Sequence, residues 1–255
     1  MKIAITGKGG VGKTTLAAVL ARLYAADGHP VLCADCDPDA NLGLALGFTE
    51  PELAELIPIS QLTELIAERT GADKGGWGVF FKINPRVDDI PDRFAIEKNG
   101  VKLLALGTVD SGGSGCVCPE SVMLKRVMSN LVIARDEVVI LDMEAGLEHL
   151  GRGTADFVDR FIVVVEPGAR SVQTYHQVEK LAADLGVKHV SVVASKVRGD
   201  EDETFIREHI PADALLGVIH WSDDILAADR RAISPYDVGG TVLDDVRAIK
   251  NRLDA

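Results

Sequence analysis

A short segment near the start of the chain, Gly7-Lys8-Gly9-Gly10-Val11-Gly12-Lys13-Thr14, restricts the possible folds more than any other feature. An apolar, β-branched run at 2–6 precedes it and a stretch with helical spacing at 14–26 follows, so its glycines sit at a strand-to-helix junction. There, glycines let the backbone fold tightly enough for successive N–H groups to converge on phosphate oxygens, and the helix N-terminus adds positive potential. The segment carries the whole G-x-x-x-x-G-K-[ST] pattern, so the backbone of Gly9, Gly10, Val11, Gly12, Lys13, Thr14 and Thr15 is expected to line a nucleotide. Lys13 would neutralise its β and γ phosphates, and the Thr14 hydroxyl would ligate magnesium.

Further apolar runs at 31–35, 101–106, 138–142, 161–165, 190–194 and 215–219 read as strands, and stretches at 121–134, 171–185 and 241–253 carry helical spacing. Their alternation predicts an α/β fold, a mostly parallel sheet with helices on both faces. Hydrophobic residues make up 47% of the chain and aromatic residues only 5%, the Val/Ile/Leu/Ala-dominated content that buried parallel strands require. A helix is expected at 51–70, before a stretch at 71–100 rich in Gly, Pro and charge. This region reads as an insertion or cap at about 50–100 on a single domain spanning 1–255.

A formal net charge of -12 disfavours nucleic-acid and anionic-membrane partners. No apolar run approaches the roughly 18 residues needed to span a bilayer, and no leader pattern opens the chain, so a cytoplasmic location is expected. The four cysteines, at 33, 36, 116 and 118, are too few and too clustered to staple a domain of this size.

Beyond the phosphate loop, several groups can carry chemistry. Asp35-Cys36-Asp37-Pro38-Asp39 ends the second strand, where carboxylates face the same crevice as the phosphate loop; Asp35 and Asp39 are candidates to hold magnesium through water, and Asp39 equally fits a turn. The run 138–142 is a hydrophobic strand ending in Asp142. Lys8 is a second lysine that an ordinary phosphate loop does not need; beside a triphosphate it pairs with the negative charge, the alternative being a solvated side chain. Cys116-Val117-Cys118 lies in a Gly-rich loop before a helix opened by Pro119 and Glu120, whose N-terminus favours thiolates. Two cysteines one residue apart can face one metal but cannot close a four-coordinate site; two subunits meeting at an axis would offer four sulfurs, while an incidental or redox pair is the rival reading. Cys33 and Cys36 also have C-x-x-C spacing, but Cys33 falls inside a buried strand, which favours packing.

The K-G-G-x-G-K-T pattern at 8–14 resembles the deviant P-loop family, the MinD (SIMIBI) type of P-loop NTPase, which includes nitrogenase iron protein, septum-site and partition ATPases and metal-insertion ATPases. The resemblance implies ATP as nucleotide and a homodimer in which Lys8 reaches the partner's nucleotide. It makes Asp37, in the D-P dipeptide after the second strand, the residue that orients attacking water. It likens 138–142 with Ala145-Gly146 to a Walker B strand and second switch loop, so that Asp142 holds the water shell of the metal and Gly146 offers its N–H to the γ-phosphate. It aligns Ser195-Lys196 with the Asn-Lys that reads the base in relatives.

The phosphate loop, the DCDPD strand end, the Cys116-Cys118 loop and LDMEAGLEHLGRGTA at 141–155 together are similar to the nickel-insertion accessory ATPases of carbon monoxide dehydrogenase and acetyl-CoA synthase maturation, over essentially the whole chain. The implied activity is delivery of nickel, with zinc able to take its place, to the apo form of one of those enzymes through Cys116 and Cys118 of both subunits. Two rivals remain: an iron-sulfur electron carrier like nitrogenase iron protein, against which Ala145 stands where a second cysteine is needed, and a positioning or partition ATPase, against which the acidic charge and mixed C-terminal helix stand. His149 near the second switch, Trp77 and Trp221 receive no role.

Overall fold

The computed structural model describes residues 1–37, 40–72, 81–107, 118–144, 152–187 and 190–255. Its strands are β1 (Lys2–Gly7), β2 (Val31–Asp35), β3 (Ile96–Lys98), β4 (Val101–Ala105), β5 (Val138–Asp142), β6 (Arg160–Val165), β7 (Val190–Val197) and β8 (Leu215–His220). Its helices are α1 (Lys13–Ala26), α2 (Leu42–Leu46), α3 (Glu50–Leu53), α4 (Thr63–Thr70), α5 (Ile90–Phe94), α6 (Pro119–Ala134), α7 (Arg152–Ala155), α8 (Ala169–Asp184), α9 (Asp200–His209), α10 (Asp223–Asp229), α11 (Pro235–Val238) and α12 (Gly240–Leu253). Every residue of β1, β2 and β5 is buried, as continuous apolar strands must be when helices cover both sheet faces.

The strands form one sheet in the order β3-β4-β2-β5-β1-β6-β7-β8, parallel throughout except for β3 against β4. β1 therefore lies inside the sheet, between β5 and β6, with its C-terminal end opening onto the crevice where the strand order reverses. Register decides what meets there: Asp35 of β2 and Ile5 of β1 both lie opposite Asp142 of β5.

Side chains alternate between two cores. Ile3, Ile5, Val31 and Cys33 join α1, α2 and α12 on one face. Ala4, Leu32, Ala34 and Cys36 join α4, α5, α6, α8 and α9 on the other. α12 shows the helical logic plainly: Val242, Val246, Ile249 and Leu253 are buried at spacings of four, three and four, which makes one apolar stripe. Each stripe removes large apolar areas from water, at roughly 25 cal/mol per Å2.

At the opposite rim, Lys2 ties two loops to β1. Its Nζ donates to the carbonyls of Arg135 and Glu137, and its backbone N–H donates to Asp159 Oδ2 at 2.7 Å. Arg135 in turn pairs with Asp92 at 2.8 Å and with Glu137.

The expected helix at 51–70 is broken. α3 ends after one turn, a 3-10 turn occupies Ile59–Gln61, and α4 starts only at Thr63. Pro58, with φ -57 and ψ 138, has no N–H to donate and holds its backbone extended, which ends the helical ladder. β3 also falls in the Gly-, Pro- and charge-rich stretch, where no strand was expected; at three residues it is too short for a periodicity signal, and Asn99 (φ 52) and Gly100 (φ 75) make the tight turn into β4. Among the described residues no helix is long and apolar enough to cross a membrane.

Candidate functional site

The loop between β1 and α1 is shaped by its glycines. At Gly7, φ is +148 and an added Cβ would lie 2.5 Å from the Val164 carbonyl oxygen, so β6 can approach this closely only because no side chain is present. Gly10 and Gly12 take positive φ values of 78 and 100. Added Cβ atoms at Gly9 and Gly10 would meet nothing within 4 Å, so the loop presents bare backbone to open space on that side. Val11 is fully buried and anchors the loop, its N–H donating to the Lys8 carbonyl at 3.4 Å. Gly12 caps α1 without a side chain, which leaves first-turn amides to an anionic ligand.

Lys13 and Thr14 face two acidic strand ends. Lys13 is 5% exposed, with Nζ 3.6 Å from Asp37 Oδ2. The Thr14 hydroxyl donates to Asp142 Oδ2 at 2.7 Å. Asp142 is fully buried, and its Oδ1 has no hydrogen-bond partner among the described residues. Burial pushes its carboxyl up to about 7, against the hydrogen bond from Thr14. A buried carboxylate oxygen lacking a donor, beside a hydroxyl and below a phosphate cradle, is the donor set that a magnesium ion with its water shell fits. Asp35, weighed above as a magnesium holder through water, is engaged by the backbone: Oδ1 accepts from the Asp37 amide at 3.1 Å and Oδ2 from the Leu42 amide at 3.0 Å, which fixes the turn into α2. Burial raises its carboxyl to about 6 despite those bonds.

Ser195 and Lys196 close the other side. Ser195 is 4% exposed, and its Oγ lies 3.0 Å from where a Gly12 Cβ would be, so it packs beneath the phosphate loop. Lys196 adopts φ 60, an uncommon value for a residue with a Cβ, and its Nζ donates to the Gly10 carbonyl while lying 3.7 Å from Glu166. The expected base-reading pair thus braces the loop that holds phosphate.

A cavity of about 610 Å3 runs from this loop past Thr15, Asp37, Ser195 and Lys196 to an apolar end walled by α2 on one side and by α10 and α11 on the other. Sequence reasoning missed that second wall. Its signal was Ser222 followed by Asp223 and Asp224, an N-cap with an acidic first turn, and Ser222 Oγ does accept from the Ile225 amide at 3.3 Å. Trp221, left without a role above, lines the cavity with the Arg198 guanidinium 4.1 Å above its ring.

Among the described residues, Lys8 and three cysteines lie apart from the cavity lining. Lys8 is half-buried and not part of the lining. Cys118 caps α6, its Sγ accepting from the Ser121 amide at 3.4 Å. Cys116, Gly146, Ala145, His149, Asp39 and Trp77 lie outside the described residues. Cys33 and Cys36 are buried in different cores on opposite sheet faces, so their C-x-x-C spacing does not build one site; burial raises both thiols.

Residues 2–235 match the family described as the CobQ/CobB/MinD/ParA nucleotide binding domain. The chain is 46% identical over 249 residues to the carbon monoxide dehydrogenase accessory protein CooC of Rhodospirillum rubrum, covering 98% of this chain and 94% of that one. It is also 46% identical to an ATP-binding protein of Methanocaldococcus jannaschii, over 90% of this chain and 88% of the other. Among solved structures, the septum site-determining protein MinD of Pyrococcus horikoshii with Mg-ADP superposes with a TM-score of 0.67 at 19% identity, covering 99% of this chain and 96% of that chain.

Proposed function

Because this chain belongs to the CobQ/CobB/MinD/ParA family of nucleotide-binding domains and is an ATPase of that family, we propose that it is a homodimeric accessory ATPase whose cycle carries nickel to apo carbon monoxide dehydrogenase or acetyl-CoA synthase. The observation that carries the ATPase half of this reading is the pairing of Lys13 with Asp37 and of Thr14 with Asp142 at the mouth of an open glycine cradle.

Filling the cradle sets up a competition. A triphosphate has the higher charge, so it draws Lys13 away from Asp37 and leaves that carboxylate free to orient water. The water oxygen adds to the γ phosphorus as the bond to the β-phosphate oxygen breaks, giving ADP and inorganic phosphate. Thr14 directly and Asp142 through water would hold magnesium, which supplies charge neutralisation at the phosphates. Backbone amides of residues 9–15 bind the α and β phosphates, Gly146 offers its amide to the γ phosphate, and Ser195 and Lys196 keep the loop in shape. Lys8, half-buried and outside the cavity lining, reaches the partner subunit's nucleotide.

Nickel is cargo in this reading. Support comes from the similarity to the carbon monoxide dehydrogenase accessory protein and from the position of Cys118 at the N-terminus of a sixteen-residue helix, where a thiolate is favoured. Cys116 and Cys118 from two subunits would give one ion four sulfurs, with zinc as the competing guest. The test is titration of nickel and zinc into wild type and a Cys116→Ala/Cys118→Ala variant, with ADP and with a non-hydrolysable ATP analogue, while sedimentation reports the dimer. One ion per two chains, lost in the variant and dependent on the nucleotide, is expected. One ion per chain that survives the double substitution would overturn the shared site.

A further inference from the structure

The two walls of the cavity's apolar end are fastened to each other away from the phosphates. Ser234 is 2% exposed, and its hydroxyl donates to the Ala45 carbonyl of α2 at 2.6 Å. Arg22 of α1 donates to the Leu46 carbonyl at 3.3 Å and to Asp237 of α11 at 3.0 Å, with its guanidinium 4.5 Å from the Tyr236 ring. Gly47 (φ 93) sits where these groups meet: an added Cβ would lie 3.5 Å from Ser234 Cβ and 3.7 Å from Arg22 Nη1. Of the C-terminal carbonyls of α2, which a helix leaves unpaired, that of Ala45 is thus held by Ser234 of the opposite wall and that of Leu46 by Arg22 of α1, which also binds Asp237 of that wall.

α2 is also held at its other end. Asp35 accepts from the Leu42 amide that opens α2 and from the amide of Asp37, whose carboxylate faces Lys13. A continuous set of short contacts therefore runs from α11 through Ser234 and Arg22 to α2, then through Asp35 to the Lys13–Asp37 pair. Apolar side chains face the space it spans, beside Asn41 and Asp229: Leu44, Leu226 and Ile233 line the cavity from both walls and are 36%, 42% and 38% exposed. A flat nucleobase entering there lies between α2 and α10–α11, the two bodies that the clasp joins.

We propose that Ser234 and Arg22 are positioning residues for ATP hydrolysis, a clasp through which the base-side walls of the cavity set the placement of Asp37 opposite Lys13. This rests on the ATPase reading above and adds a mechanical link between the base and the water-orienting carboxylate. A packed two-ended helix transmits displacement because it shifts as one body and does not compress.

Steady-state ATP hydrolysis by Ser234→Ala and Arg22→Gln tests it, with Ser234→Thr and Arg22→Lys as conservative partners and thermal melting as the control for folding. Misplacing a reacting group lowers turnover more than affinity, so kcat is expected to fall about tenfold in Ser234→Ala and Arg22→Gln with KM within about twofold of wild type. Ser234→Thr, which keeps the hydroxyl, should recover most of the loss. A rise in KM at unchanged kcat would show that the clasp only shapes the base pocket, and unchanged kinetics or equal loss in Ser234→Thr would show a purely structural role; each overturns the proposal. Absence of hydrolysis in wild type would instead strike down the ATPase reading itself.

Discussion

Two glycines of the phosphate loop fail in different ways when given a side chain, and the contrast separates folding from binding at the scale of single residues. A Cβ at Gly7 runs into the Val164 carbonyl at 2.5 Å, whereas one at Gly9 meets nothing within 4 Å. Gly7→Ala should cost about 1–3 kcal/mol of stability in urea melts. Gly9→Ala should stay within about 0.5 kcal/mol of wild type yet weaken nucleotide binding, because its methyl enters the phosphate space. Equal stability losses in both would contradict the geometry. The phosphate-loop residues stood out in the sequence by their fixed spacing at a strand-to-helix junction, whereas Asp37 and Asp142 were picked out by their place after apolar strands together with the family resemblance. Asp35 was not: its carboxylate caps α2 only because the chain returns toward it at Leu42, a path that no local pattern records. Ser195 and Lys196 were found by position, but their bracing of Gly12 and Gly10 depends on β7 lying beside the loop in space.

Long elements were read within a residue or two, since α6, α8 and α12 carry apolar stripes that their sequences display and α1, buried nearly all round, is a long apolar run directly after the phosphate loop. Short ones were not, because α2, α5 and α11 of four or five residues owe their existence to tertiary partners and not to propensity. α4 and α5 illustrate such a partnership. Asp89 at the N-terminal end of α5 accepts from both terminal nitrogens of Arg69 in α4, at 2.9 and 2.7 Å, and from Arg93 at 2.9 Å. The guanidinium of Arg69 first, then that of Arg93, holds its carboxyl well below the usual range. Asp89→Ala should therefore cost about 1 kcal/mol at neutral pH, solvent screening keeping the figure small. The folded carboxyl lies below its unfolded value of about 4, so this stabilisation is complete above that value and fades as pH falls through it. Denaturation of wild type and variant at pH 7 and pH 3 checks the sign: the difference between them should shrink at the lower pH, and a difference that grows would refute the assignment.

For the molecule as a whole, the alternation of strands and helices was enough to give a mostly parallel sheet, but not the order that puts β1 between β5 and β6, because that order is fixed by contacts between residues more than a hundred positions apart. Nucleotide binding is expected to be felt by the whole fold. A ligand at about one hundred times its Kd adds roughly 2.7 kcal/mol, which for a domain of this size raises Tm by roughly 5–10 °C. Magnesium ADP should produce such a shift in wild type, and Lys13→Gln should abolish most of it; an equal shift in both would remove the phosphate site from the account. Lys2 and Arg135 make a set of ties at the rim away from the phosphate loop. They turn that end of the sheet into a footing. A displacement at the mouth of the crevice therefore meets a braced sheet beneath it, and the strands do not absorb it by slipping at their far ends.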